Sequence, residues 1–140
     1  MPSFDFSQTP GHLIRRAHQV SMAVFARELV AFDVTAVQFA IVQTLLDSPG
    51  ADQVTVAQRV ALDAATSGSV IGRLEARGWL RRQSDTLDKR RKLLWLTDEG
   101  RQAALQMKKP VRNVQAALLA PLAPDEQKQL VQLLQKICGI

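Results

Sequence analysis

Between Arg77 and Lys92 the chain places seven cations (Arg77, Arg81, Arg82, Lys89, Arg90, Arg91 and Lys92) against two carboxylates, Asp85 and Asp88. That local excess equals the +5 formal charge of the whole 140-residue chain. A basic run of this kind binds a polyanion, and its setting suggests which one. It lies across two short segments that read as strands, Trp79 to Ser84 and Lys92 to Leu96, joined by a turn containing Asp85, Thr86 and Asp88, the pattern of a β-hairpin. Arg90, at the predicted tip, is suited to the minor groove of a duplex, where narrow A·T-rich stretches concentrate negative potential. Asp88 would repel DNA by itself; it fits better as a turn former that orients Arg90 by a charge-assisted hydrogen bond. Arg81, Arg82, Lys89, Arg91 and Lys92 read as phosphate partners, which supply affinity and salt dependence more than sequence choice.

Just before the hairpin lies a second group. Taking Asp63 as the start of a helix and advancing about 100° per residue puts Ser67, Val70, Ile71 and Leu74 on an inward face. Ala65, Thr66, Gly68, Ser69, Gly72 and Arg73 then share the outer face, which is small and polar. Thr66 and Ser69 can donate to or accept from base edges or phosphates, Ala65 can meet a thymine methyl, and Arg73 suits a phosphate. Gly68 and Gly72 each cost about 1 kcal/mol of helix propensity relative to alanine. Glycine one turn apart makes sense where a DNA edge or another helix comes close.

The elements that must hold these groups are legible from their ends. Thr9 with Pro10 opens a helix expected to run to about Ala31. Thr35 and Gln38 form a capping box flanked by Val34 and Phe39 as a hydrophobic staple, and Ser48-Pro49-Gly50 ends that second helix. Thr55 and Gln58 predict a further capping box opening a short third helix; Asp63 caps the fourth and Gly78 terminates it. Thr97, followed by Asp98 and Glu99, starts a fifth helix that Pro110 should kink or divide near Met107 to Lys109. A last helix begins near Pro124. The expected fold is mainly α with one small β-hairpin (α+β), a single domain over residues 1–140 with a winged helix–turn–helix at about 35–97.

The helices outside that unit, about 10–31 and 98–138, carry apolar stripes: Leu13, Ala17, Val20 and Val24 on the first, Leu118, Leu119, Leu122, Leu130, Leu133, Leu134 and Ile137 near the end. Packing them against a second copy is the economical arrangement, and a two-fold dimer presents two reading heads about one DNA turn apart.

Other classes find little support. Two histidines, one cysteine and no tyrosine, with no metal-ligand spacing, nucleophile elbow or phosphate loop, argue against an enzyme and against a cofactor or metal. Cys138 alone cannot form an intramolecular disulfide and suits a reducing compartment; as a frayed-end thiol it reads as packing rather than a redox sensor. Met1 to Pro10 lacks signal-peptide character and no run reaches the length of a membrane span, so a cytoplasmic location is expected. An architectural DNA-binding protein without a switch is the main alternative, whereas a winged-helix protein adaptor should lack the basic wing.

The ordered series Thr35-Ala-Val-Gln-Phe-Ala-Ile-Val, Thr55-Val-Ala-Gln-Arg-Val, Gly72-Arg-Leu-Glu-Ala-Arg-Gly-Trp-Leu, Asp88-x-Arg90 and Leu96-Thr97-Asp98-Glu99-Gly100 resembles the MarR family of bacterial transcriptional regulators over nearly the full length. The resemblance implies a homodimeric repressor of palindromic operators, released by small phenolic or aromatic acids held between the dimerisation helices and the winged domain. Here the first helix offers His12, Arg15, Arg16 and His18, with Arg15 and His18 on one face beside Ile14, Met22 and Phe25. An aromatic carboxylate could pair with Arg15 while its ring rests on the apolar neighbours. Gln38 could join such a site, although capping already explains it. The opening Pro10-Gly-His-Leu-Ile-Arg-Arg-Ala-His resembles members that control aromatic-acid degradation. Two departures are Ala123, where such proteins often place a capping serine, and Pro110 inside the fifth helix.

Overall fold

The computed structural model describes residues 3–140. After a 3-10 turn at Phe6–Gln8 come α1 (Pro10–Glu28), a second 3-10 turn (Val30–Phe32), α2 (Ala36–Asp47), α3 (Gln53–Arg59), α4 (Ala64–Arg77), β1 (Leu80–Ser84), β2 (Lys92–Leu96), α5 (Asp98–Leu119) and α6 (Pro124–Cys138). Thus α1 stops short of Ala31, and the chain leaves it through the 3-10 turn and a left-handed Asp33 at φ 48°. The Thr9 hydroxyl does not cap α1 but donates to the Phe6 carbonyl at 2.8 Å.

Most helix starts follow from local chemistry. Thr35 and Gln38 exchange both hydrogen bonds of the capping box, at 3.1 and 3.0 Å. Asp63 accepts from the Thr66 N–H at 2.7 Å, Thr97 from the Gly100 N–H at 3.1 Å, and Gly78 ends α4 at φ 85°. The start of α3 corrects the expectation. Asp52, not Thr55, is the cap: its carboxylate accepts the Thr55 N–H at 3.2 Å and the Thr55 hydroxyl at 2.6 Å. A carboxylate is the stronger acceptor for the exposed N–H groups of a first turn, and the helix begins at Gln53. At α6, Ala123 has no side-chain acceptor to offer; Glu126 takes the Ala123 N–H at 2.8 Å, completing half of a box.

The strands pair antiparallel with Leu80 opposite Leu96 and Ser84 opposite Lys92; β1 starts one residue later than the sequence suggests, and β2 spans the expected residues. The loop after α2 adds to the outer side of β2. Gly50 N–H donates to the Leu94 carbonyl at 2.9 Å, and Leu94 N–H to the Ala51 carbonyl at 3.0 Å. The hairpin is therefore rooted in the helix–turn–helix.

The core forms where α1 and α2 pack on α5 and where α4 meets β1. Leu29, Ile41, Leu45, Ile71, Leu74 and Leu94 are essentially inaccessible. Pro110 does not divide α5, which runs as one helix from Asp98 to Leu119. Met107 and Val114, on either side of it, are fully buried, and that packing holds the helix despite the lost N–H. Along α1, α5 and α6 the apolar stripes remain open. Leu13, Ile14, Ala17 and Val20 face Leu118, Leu122, Leu130 and Leu134 across a groove of about 640 Å³. Among the described residues no helix is long and apolar enough to cross a membrane, and no group of His, Cys, Asp and Glu is placed to hold a metal ion.

Candidate nucleic-acid interface

Helix α4 divides as its periodicity requires: Ser67, Ile71 and Leu74 are buried, while Ala65, Thr66, Ser69 and Arg73 are exposed. Ser67 satisfies its hydroxyl on the Ala64 carbonyl at 3.0 Å. The Thr66 hydroxyl donates to Asp63 at 2.9 Å, which leaves its lone pairs to accept from outside. Hydrogen bonds from the first turn hold the Asp63 carboxyl below its usual range, so the cap stays ionised.

The two glycines of this face are not required by the chain's own packing. A Cβ at Gly68 would lie 3.7 Å from the Gln53 amide nitrogen, and one at Gly72 3.7 Å from the Arg82 guanidinium, both ordinary contact distances. The helix forgoes stability to keep these positions bare, which fits a surface approached from outside. Gly68→Ala and Gly72→Ala should each raise stability by up to about 1 kcal/mol in thermal unfolding, while duplex binding weakens by about tenfold from overpacking. Unchanged binding in a stabilised variant would remove these positions from the interface.

The hairpin is braced at its base and bare at its tip. Arg82 is paired with Glu75 of α4: its guanidinium lies 3.1 Å from one carboxylate oxygen and its backbone N–H donates to the other at 3.2 Å. The Arg82 hydrogen bonds hold the Glu75 carboxyl below its ordinary range. Arg91 reaches Asp52 at 3.1 Å and Asp85 at 3.6 Å. Asp52 is drawn down to about 2, first by the Thr55 hydroxyl and then by Arg91, so this anchor is charged at any ordinary pH. Arg82 and Arg91 thus fasten the wing to α4 and α3, a use that leaves phosphate contact a secondary role. Lys92 donates to the Ser84 hydroxyl at 2.7 Å, and Arg81 to Gln83 at 3.2 Å, its guanidinium 5.6 Å from the Trp95 ring centroid.

At the tip, Asp85 accepts the Leu87 N–H and Asp88 the Arg90 N–H, each at 3.1 Å. Asp88 also lies 3.5 Å from the Arg90 Nε, the orienting role expected of it. The Arg90 side chain is 95% exposed, and Lys89 beside it is exposed as well. A fixed turn therefore projects two cations beyond the body of the wing.

The candidates for an effector are less well gathered. Arg15, Arg16 and His18 are exposed on α1, and His18 borders the apolar groove with Leu13, Ile14 and Ala17. His12 turns instead to Phe6, ring centroids 4.6 Å apart, with its Nδ1 buried and unpartnered. Gln38 is committed to its cap and Phe25 to the core. Sequence reasoning also missed a cleft of about 250 Å³ between α3 and α4, bordered by Gln53, Val54, Gln58 and Ser67. Its border includes Val54, an apolar side chain that α3 leaves exposed.

A model of the MarR family matches residues 34–92. The transcriptional regulator HosA of Escherichia coli O157:H7 is 33% identical over 126 residues, covering 90% of this chain and 92% of HosA. PcaV, a transcriptional regulator from Streptomyces coelicolor solved with its natural ligand, superposes with a TM-score of 0.91 at 37% identity, covering 99% of this chain and 98% of PcaV. BpsR of Bordetella bronchiseptica, whose DNA binding is regulated by 6-hydroxynicotinic acid, superposes with a TM-score of 0.93 at 33% identity over 99% of both chains.

Proposed function

This chain belongs to the MarR family, a transcriptional regulator and not an enzyme, and from that premise we propose that it represses aromatic-compound catabolism genes as a homodimer on a palindromic operator. A small aromatic carboxylate releases it, and it works in the cytoplasm. Residues 1–140 act as one unit, with α1, α5 and α6 joining the two copies through their open apolar groove. The observation that carries the reading is the build of the wing. Arg82–Glu75 and Arg91–Asp52 lock it to the helix–turn–helix, while Arg90 projects from a turn fixed by Asp85 and Asp88. Two such heads, each with the small polar face of α4 for a major groove and Arg90 for the adjoining minor groove, read a duplex from one side.

Release follows from differential affinity. An effector that prefers one spacing of the heads shifts the dimer towards it, and operator and effector weaken one another by the same factor. Arg15 supplies the guanidinium for the carboxylate, with His18, and at lower weight His12, Arg16 and Gln38, around the ring.

The test is a titration of operator duplex with and without 6-hydroxynicotinic, 4-hydroxybenzoic and related acids. Arg15→Ala should leave operator affinity within about twofold yet blunt release by about tenfold or more, the loss of a charge-assisted pair. An intact acid response in that variant would move the site elsewhere. Shallow sequence preference with no release by any acid would favour an architectural protein instead.

A further inference from the structure

Arg77, the last residue of α4, has a part in none of the groove contacts described above. Its guanidinium reaches back across the fold and donates through Nη2 to the Phe32 carbonyl and through Nη1 to the Asp33 carbonyl. These are consecutive carbonyls at the elbow where α1 turns into α2, and Asp33 holds the left-handed conformation there, at φ 48°. The same guanidinium stacks over the Trp79 ring, 3.7 Å from its centroid. Trp79 is itself buried, and its carbonyl accepts the Thr97 N–H, at 3.0 Å, from the residue that caps α5. The Thr97 hydroxyl donates to the Gly78 carbonyl at 2.6 Å. One side chain therefore joins the exit of α1, the end of α4, the start of β1 and, through Trp79, the start of α5.

We propose that Arg77 is the positioning residue that locks the recognition helix to the dimerisation helices and so sets the separation of the two reading heads. The inference rests on the dimeric, operator-binding reading above. The elbow meets α4 through a planar, forked cation that bonds two carbonyls and lies over an indole. That contact is directional and resists rotation. Lysine has one compact charge: it can meet one carbonyl and cannot stack as a plane. Methionine keeps the apolar stem and loses both hydrogen bonds. Neither substitution touches the small polar face of α4 or the tip of the wing, so recognition of a single half-site is preserved.

The experiment selects duplexes from a random library with the wild-type protein, then inserts one base pair between the half-sites, turning one head by about 34° relative to the other. Wild type should lose about tenfold or more in affinity. Arg77→Met should keep the same half-site sequence but lose no more than about twofold on insertion, its heads being free to adjust, with Arg77→Lys between. A folded Arg77→Met protein, judged by circular dichroism, that pays the wild-type spacing penalty would overturn the proposal. Should the methionine variant not fold, the lysine variant decides by the same criterion. Failure of the wild type to select paired half-sites would overturn the operator reading and the clamp's role together, and it would show in the unmutated protein alone.

Discussion

Arg90→Ala is expected to weaken operator binding by about 100-fold or more, since a dimer loses two groove contacts at once. It should also flatten the dependence of log affinity on log salt by about two, one for each charge removed. The effect should appear with little change in thermal stability. The side chain is 95% exposed and its single carboxylate contact, with Asp88, is a surface pair of the kind that contributes less than about 1 kcal/mol. Binding and melting measured on one preparation separate the two readouts. An alanine variant with wild-type affinity and salt slope would mean that the wing tip never enters a groove.

Gly100→Ala should have the largest effect on folding and none that is specific to DNA. A Cβ at this first-turn position of α5 would lie 1.9 Å from the Trp79 carbonyl oxygen and 2.7 Å from its carbon, backbone atoms that cannot swing aside. The helix start would have to back away from the junction of α4 and β1. That breaks the Thr97 N–H bond to the same carbonyl and opens the packing around the buried Trp79. Overpacking of this sort costs about 1–3 kcal/mol or more, read as a lowered midpoint in denaturant with an unaltered slope. A variant as stable as wild type would show that α5 is not seated against Trp79 in this way.

Features governed by near neighbours were legible in the sequence. The pairs Thr35–Gln38 and Asp63–Thr66 and the Thr97–Gly100 cap lie three residues apart, and the residue types state the hydrogen bonds they make. The split faces of α4 follow from helical phase alone, and the charge run marked the wing. The start of α3 was ambiguous because Asp52 and Thr55 both satisfy a capping pattern; only the structure shows the carboxylate taking the N–H and the threonine becoming its partner. Contacts that span the chain left no local trace. Leu94 pairs with Ala51, and Arg91 with Asp52, across dozens of residues. A charge count cannot distinguish such a cation from Arg90, whose single carboxylate partner lies within its own turn. The division expected at Pro110 fails for the converse reason: a sound local rule yields to the burial of Met107 and Val114, and α5 stays continuous. Among the candidate effector residues, helical phase grouped Arg15 and His18 with Phe25, yet Phe25 is spent on the core.

Both the wing and the recognition helix are built as one head, and the open groove along α1, α5 and α6 implies a second. Sedimentation of the protein with a fluorescent duplex, selected by the protein itself, tests that directly. Two chains should travel with each duplex at moderate salt, and the protein alone should travel as a dimer. A monomer that sediments apart from every duplex at low ionic strength would contradict the account.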